Sequence, residues 1–261
     1  MDEIVYWIWL TTIPYVGIKS QHILLMQFDN PRKVYEASME GLSKTGIGTK
    51  RCTSIMNSKS LDSAIRIIED CKKKGISIIT CRDVFYTDKY IRDDNLPILL
   101  YCKGDIENVV CSSYSIGVIG ARRCTQKDKA ECIKFISEIS IMDNPTIISG
   151  AAKGIDGYAH TAAIKNGLKT IAFVGNGLDI YYPKEHTGLI DEISQNGVVI
   201  SQFPPGTPPL RYHFPMRNRL IAAWSDELKV FGAGRNSGTG YTVEYFRMKS
   251  DYKFETQRNV L

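Results

Sequence analysis

Apolar residues recur at helical spacing up to about residue 75 and in short β-branched runs after it. Residues 3–12, 20–28 and 31–40 each predict a helix, the last opened by Pro31. Leu61, Ala64, Ile65 and Ile68 predict a fourth helix over 61–73. Beyond that point Ile76–Thr80 and Ile98–Cys102 read as strands. Strands then alternate with amphipathic helices. The strands are 116–119, 146–148, 170–174, 198–201 and 228–231; the helices lie near 126–142, 156–166, 185–195, 215–224 and 239–249. Uniformly apolar strands separated by helices of this length predict a mostly parallel α/β sheet, covered by helices on both faces. The change of period divides the chain into a helical N-terminal domain, 1–74, and an α/β domain, 75–261.

Two glycine turns punctuate the helical part, Pro14-Tyr15-Val16-Gly17 and Thr45-Gly46-Ile47-Gly48. Each precedes a polar helix start carrying a lysine, Lys19 or Lys50. They resemble the turns of a helix-hairpin-helix element, which can hold a DNA backbone through loop amides. A plain connection between helices uses the same residues.

Composition narrows this picture only a little. The 261 residues carry a net charge of +5, which permits a polyanionic partner without demanding one. The seven cysteines include no C-x-x-C pair and no zinc spacing, so reduced thiols in a cytoplasmic protein are expected, with no metal. The apolar N-terminal run follows acids rather than basic residues and is too short to span a bilayer. Neither a signal peptide nor a membrane segment is expected.

The chemistry gathers at the strand ends, where ligands bind in folds of this class. Strand 116–119 is followed by Gly120-Ala121-Arg122-Arg123, and strand 146–148 by Ser149-Gly150-Ala151-Ala152-Lys153-Gly154-Ile155-Asp156. Strand 170–174 runs into Gly175-Asn176-Gly177. After 198–201 come four prolines, a glycine and Phe214-Pro215, and then Arg217, Asn218 and Arg219 at the start of a helix. Gly232-Ala233-Gly234-Arg235-Asn236-Ser237-Gly238-Thr239 follows the last strand. All five ends carry glycine and four add a basic residue, which predicts a shared anion-binding crevice.

Within that crevice Gly120, Gly150 and Gly154 allow close approach. Arg122 or Arg123 can fork onto a phosphate, and successive residues point different ways, so one of the pair should face inward. Lys153 is a point charge, and Ser237, Gly238 and Thr239 offer hydroxyls and amides to an anion or simply cap the next helix. Asp156 can contact a ligand, cap the next helix or bond to His160 one turn on. The arginines of 217–219 could equally be solvated charges on a core helix, and Phe214 reads as core. Neither a Walker loop, G-x-G-x-x-G, G-x-S-x-G nor H-E-x-x-H is present, and no nucleophile and base stand at a spacing that suggests catalysis.

Several blocks match one family. IGVIGARRCT (116–125), IISGAAKGIDGYAH (147–160), TIAFVGNGLDIYYPKEH (170–186) and VVISQFPPGTPPLRYHFPMRNRLIAAWS (198–225) resemble the DNA-processing protein A (DprA/Smf) family, with SGTGYT (237–242) a more degenerate match. The resemblance covers about 98 to 245, with 75–104 similar to the lead-in. The N-terminal helices resemble, more loosely, the family's small helical (SAM or helix-hairpin-helix-like) domain.

The resemblance implies an extended Rossmann-like domain in a non-enzymatic, dimeric, single-stranded DNA-binding protein. Such a protein protects incoming strands in natural transformation, helps load a RecA-type recombinase and needs no cofactor. Its DNA pocket carries over to Gly120, Arg122, Arg123, Gly150, Lys153, Gly154, Arg217, Asn218 and Arg219. Tyr212 or Phe214 could stack a base. The chain departs from the pattern at Gln202 and Gly232, where acids are usual, and at Ala121, where serine is common. The usual valine-proline-glycine ending is replaced by YKFETQRNVL, and no winged helix follows. The alternative is a nucleotide-binding or phosphoribohydrolase-like enzyme of the wider superfamily. The spacing from Ser237-Gly238-Thr239 to Glu244 fits it poorly.

Overall fold

The computed structural model describes residues 3–84, 86, 95–110, 114–142, 144–232 and 238–258. Two compact units result, Met1–Leu100 and Tyr101–Leu261.

In the first unit α1 (Ile4–Thr12) is buried from Val5 to Leu10, as a helix apolar all round must be. Helix α2 (Ile18–Phe28) turns Leu24 and Leu25 inward. The helix expected over 31–40 is two, α3 (Pro31–Glu36) and α4 (Met39–Ser43). The break is a capping event: Ser38 Oγ accepts from the Gly41 N–H at 3.2 Å and starts a new helix. Helices α5 (Thr49–Asn57) and α6 (Asp62–Lys73) complete the set, followed by β1 (Ser77–Thr80). The two glycine turns lie side by side. Arg51 donates to Tyr15 O at 3.3 Å and to Ile47 O at 2.7 Å, and Ser54 Oγ donates to Pro14 O at 2.6 Å.

Strand β2 (Leu99–Gly104) and α7 (Ile106–Val110) lead into the α/β repeat. Its elements are β3 (Ser115–Gly120), α8 (Gln126–Met142), β4 (Thr146–Ser149), α9 (Ile155–Lys165) and β5 (Thr170–Val174). A 3-10 turn (Lys184–His186), α10 (Thr187–Asn196), β6 (Val198–Ser201), α11 (His213–Trp224), β7 (Glu227–Phe231) and α12 (Thr239–Arg258) follow. The sheet has seven strands in the order β1-β2-β6-β5-β4-β3-β7. From β6 to β7 the pairings are parallel, and β2 joins β6 antiparallel, with Tyr101 opposite Ser201. Strands β4, β5 and β6 are buried along their whole length, while edge strand β7 is partly exposed.

One face packs Ile116, Val118 and Ile147 against Cys132 and Ile136 of α8 and Ala159 and Ala163 of α9. Another cluster joins β5 to α11, where the Phe173 and Trp224 rings meet edge-to-face at 5.4 Å. The six described cysteines are free thiols; Cys111 lies outside the described residues. Among the described residues no helix is long and apolar enough to cross a membrane, and no three His, Cys, Asp or Glu side chains are placed to hold a metal ion.

Strand order decides where a site can form. From β3 the chain steps through β4 and β5 to β6 on one side, then returns to place β7 on the other. The loops leaving β3 and β7 therefore diverge and open a crevice at the carboxyl ends of these two strands.

Candidate functional site

A cleft of about 920 Å³ occupies that crevice. Arg122 enters it from the loop after β3, Asp156 from the first turn of α9, and Arg211 and Phe214 from the proline-rich segment and the start of α11. Asn218 on α11 and Thr239 at the start of α12 close the far side. A smaller cavity of about 110 Å³ adjoins it beyond the ends of β4 and β5, sharing Arg122, Phe214 and Arg217 and adding Gly150, Lys153 and Asn176.

Helix α11 begins at His213, so Arg217 stands in its second turn and not at its free N-terminus. It is 4% exposed. Its Nη1 donates to Gly150 O and, at 2.8 Å, to Phe173 O, tying the ends of β4 and β5 to the helix. Gly150 makes this possible: a Cβ there would lie 1.8 Å from Arg217 Nη1 and 2.7 Å from Asp156 Oδ2. The close approach this glycine permits is therefore between parts of the protein. Burial lowers the Arg217 pKa to about 10, opposed by attraction from Asp156, so the guanidinium stays charged at neutral pH.

Residues 217–219 advance about 100° each around the helix and face three ways. Arg217 points inward. Asn218 Nδ2 donates to Gly238 O at 3.2 Å, joining α11 to the start of α12. Arg219 turns away from the cleft lining and lies 4.4 Å from the Tyr245 ring centroid. Arg122 and Arg123 are both exposed, and it is Arg122 that lines the two cavities, its guanidinium carbon 5.8 Å from the Phe214 ring centroid. Phe214, expected in the core, is only half-buried and forms a cleft wall.

Lys153 is exposed and pairs with Glu185 Oε1 at 2.6 Å; that bond holds the Glu185 carboxyl below its usual range. Gly154 has φ +81° and packs its α-carbon against the loop after β3, where a Cβ would come within 2.3 Å of Ala121 O. Gly154→Ala combines a left-handed strain with that clash. It should displace the Arg122 loop and cost about 2 kcal/mol, measured by chemical denaturation. Gly120 is equally tight against Phe231 O, and Thr239 Oγ1 donates to Gly120 O at 3.3 Å. Gly238 lines the cleft; Ser237 lies outside the described residues.

Asp156 and His160 do not bond to each other. Asp156 Oδ2 accepts from the Ala152 N–H at 3.4 Å, whereas His160 Nδ1 meets Thr170 Oγ1 at 2.7 Å across to β5. Burial raises the Asp156 pKa, with Arg217 pulling the other way.

Two lining residues escaped the sequence reading. Arg211 is exposed and makes no hydrogen bond or ion pair among the described residues. Its signal was a cation in a proline-stiffened loop just ahead of the helix. Tyr182 forms a tilted ring pair with Phe214 at 5.6 Å; Ile180-Tyr181-Tyr182-Pro183 carried no pattern that marked it.

A mostly parallel sheet whose switch-point cleft is lined, among the described residues, by three arginines and one carboxyl defines an α/β protein with a cationic cleft. The family described as DNA recombination-mediator protein A matches residues 77–250, and the chain belongs to it. It is 40% identical over 148 residues to the DNA processing protein DprA of Streptococcus pneumoniae, covering 57% of this chain and 51% of that one. Protein Smf of Synechocystis is 28% identical over 247 residues, 94% of this chain and 62% of its own. The chain thus spans between half and two thirds of these curated relatives.

Among solved structures, DNA processing protein A of S. pneumoniae superposes with a TM-score of 0.77 at 27% identity, covering 96% of this chain and 84% of that one. DNA processing protein A from Helicobacter pylori, whose structure addresses its single-stranded DNA binding mode, gives a TM-score of 0.60 at 27% identity, covering 67% of this chain and 77% of that one.

Proposed function

We propose that the cleft binds the backbone of single-stranded DNA, and that the protein acts as a recombination mediator on strands taken up in transformation. The observation that carries this reading is the charge of the cleft lining: Arg122, Arg211 and Arg217 against Asp156. Arg122 and Arg211 are exposed and suited to fork onto phosphates. Arg217 acts as a fixed buried charge behind them, and Lys153 joins them once it leaves Glu185. The open end of α12, with Gly238 and Thr239, and Asn218 add polar groups for phosphate oxygens. Phe214 and Tyr182 offer ring faces to bases.

Partners in this reading are single-stranded DNA, a RecA-type recombinase and a second copy of the chain. The family's description as a recombination mediator supports the recombinase. Binding of this kind needs no cofactor, and the reading assigns the cleft to binding rather than catalysis.

Fluorescence anisotropy of a labelled oligothymidylate across a salt series tests the proposal. Two to four phosphate contacts give a log–log slope of about −1.4 to −2.8. Absence of binding at low salt, or binding indifferent to salt, would overturn it. Release of free base from a nucleoside monophosphate would favour the enzyme reading instead.

A further inference from the structure

The cleft holds one group that a polyanion should repel. Asp156 lies in its wall, 7% exposed, among the arginines that attract the strand. The Ala152 N–H donates to Asp156 Oδ2 over a long 3.4 Å, and the Gly150 N–H and Ser149 also stand against the carboxyl. Arg217 stands close by but gives its Nη1 to Gly150 O and Phe173 O, and no Arg217–Asp156 ion pair forms among the described residues. The carboxyl is thus buried, without an ion pair, and placed where a phosphate would add a second negative charge.

We propose that strand binding is coupled to uptake of one proton from solvent by the Asp156 carboxylate. This inference rests on the reading of the cleft as a DNA site. A phosphate drawn to Arg122 and Arg217 competes with Asp156 for the same positive field, and protonating the carboxyl removes the repulsion between them. Burial favours the neutral acid and the charge of Arg217 opposes it, so a phosphate that draws on the Arg217 field acts in the same direction as burial. Between the pKa values of the free and the loaded protein, affinity rises as pH falls, because the complex holds one proton more.

The groups facing Asp156 can be named. Arg217 faces it from α11 and stays charged. Cys132 faces it from α8 and stays a thiol, since burial pushes it up to about 12. Ser149 at the end of β4 and the Gly150 N–H face it without titrating; the Ser149 hydroxyl donates to Val118 O at 2.6 Å. His160 on its own helix is held neutral by burial, which pushes it down to about 3. His186, after β5, lies one layer behind, against Gly157 and Ala151 O, and Arg122 stands beyond Arg217. His186 is therefore the second ring to control for.

The test is the affinity for oligothymidylate, whose bases do not titrate in the range, from pH 5 to pH 9 at fixed salt. The wild-type protein should bind up to about tenfold more tightly per unit fall in pH within a limited window. Asp156→Asn, a neutral mimic of the protonated form, should bind tightly with no slope, and His186→Gln should keep the slope. Calorimetry of the wild-type protein in buffers of different ionisation heat should register proton uptake, and needs no variant to fold. A flat wild-type profile, a slope retained in Asp156→Asn, or no proton uptake would overturn the coupling while leaving DNA binding in place. Absence of strand binding at any pH would instead overturn the reading on which the coupling rests.

Discussion

Arg217→Ala is expected to destabilise the protein by about 3 kcal/mol or more, read as a shift of the urea midpoint at constant slope. The substitution strips Gly150 O and Phe173 O of a donor, and each buried acceptor left unpaired costs about 1–3 kcal/mol. It also leaves Asp156 buried without its neighbouring positive charge and opens a void among α11, β4 and β5. Lysine should recover less than half of the loss, because a single ammonium cannot reproduce the fork of a guanidinium. Gly150→Ala should approach the same loss from the other side, since its Cβ would stand 1.8 Å from Arg217 Nη1. The two substitutions together should cost far less than their sum, because either one dismantles the same contact. A loss below about 1 kcal/mol for Arg217→Ala would mean that the arginine is not a strut.

Arg122→Ala and Arg211→Ala should do the opposite, leaving stability within about 0.5 kcal/mol while weakening the grip on DNA. Both side chains are exposed and both line the cleft. Each should lower affinity for single-stranded DNA about five- to tenfold at moderate salt and reduce the salt slope by about 0.7. The double variant should lose about fiftyfold if the two act on separate phosphates. Arg123→Ala is the matched control: it removes an equal charge one residue away that lines neither cavity, and should change affinity less than twofold. If Arg123→Ala matched Arg122→Ala in slope and affinity, the cleft would be the wrong surface.

The elements were legible because their signals are local. Strand 170–174, with its unbroken apolar face, and helix 126–142 form over the residues their pattern indicates. The helix expected over 31–40 failed because a serine cap three residues before Gly41 competes with an apolar period too short to outweigh it. The antiparallel β2 belongs to the same class of omission: a buried strand reads alike in either direction, and its partner β6 lies about a hundred residues along the chain.

The candidate site was legible as a set of loops but not as a division of labour among them. Glycine beside basic residues at successive strand ends marks a cleft lined by cations wherever the strands are parallel, and that much follows from residue order. Which arginine meets solvent depends on helix phase and on the helix start. Beginning α11 at His213 turns Arg217 into the protein, Arg219 towards Tyr245, and leaves Arg211 at the cleft.

Residue order therefore specifies the alternation of strands and helices, the cationic strand ends and membership of the recombination-mediator family, because these depend on neighbours in the chain. Packing specifies that Arg217 is a strut, that Gly150 and Gly154 serve contacts within the protein, and that Asp156 shares the cleft with the arginines. Those roles arise from approaches between loops that the sheet order brings together across long stretches of sequence, and distance along the chain carries no trace of them.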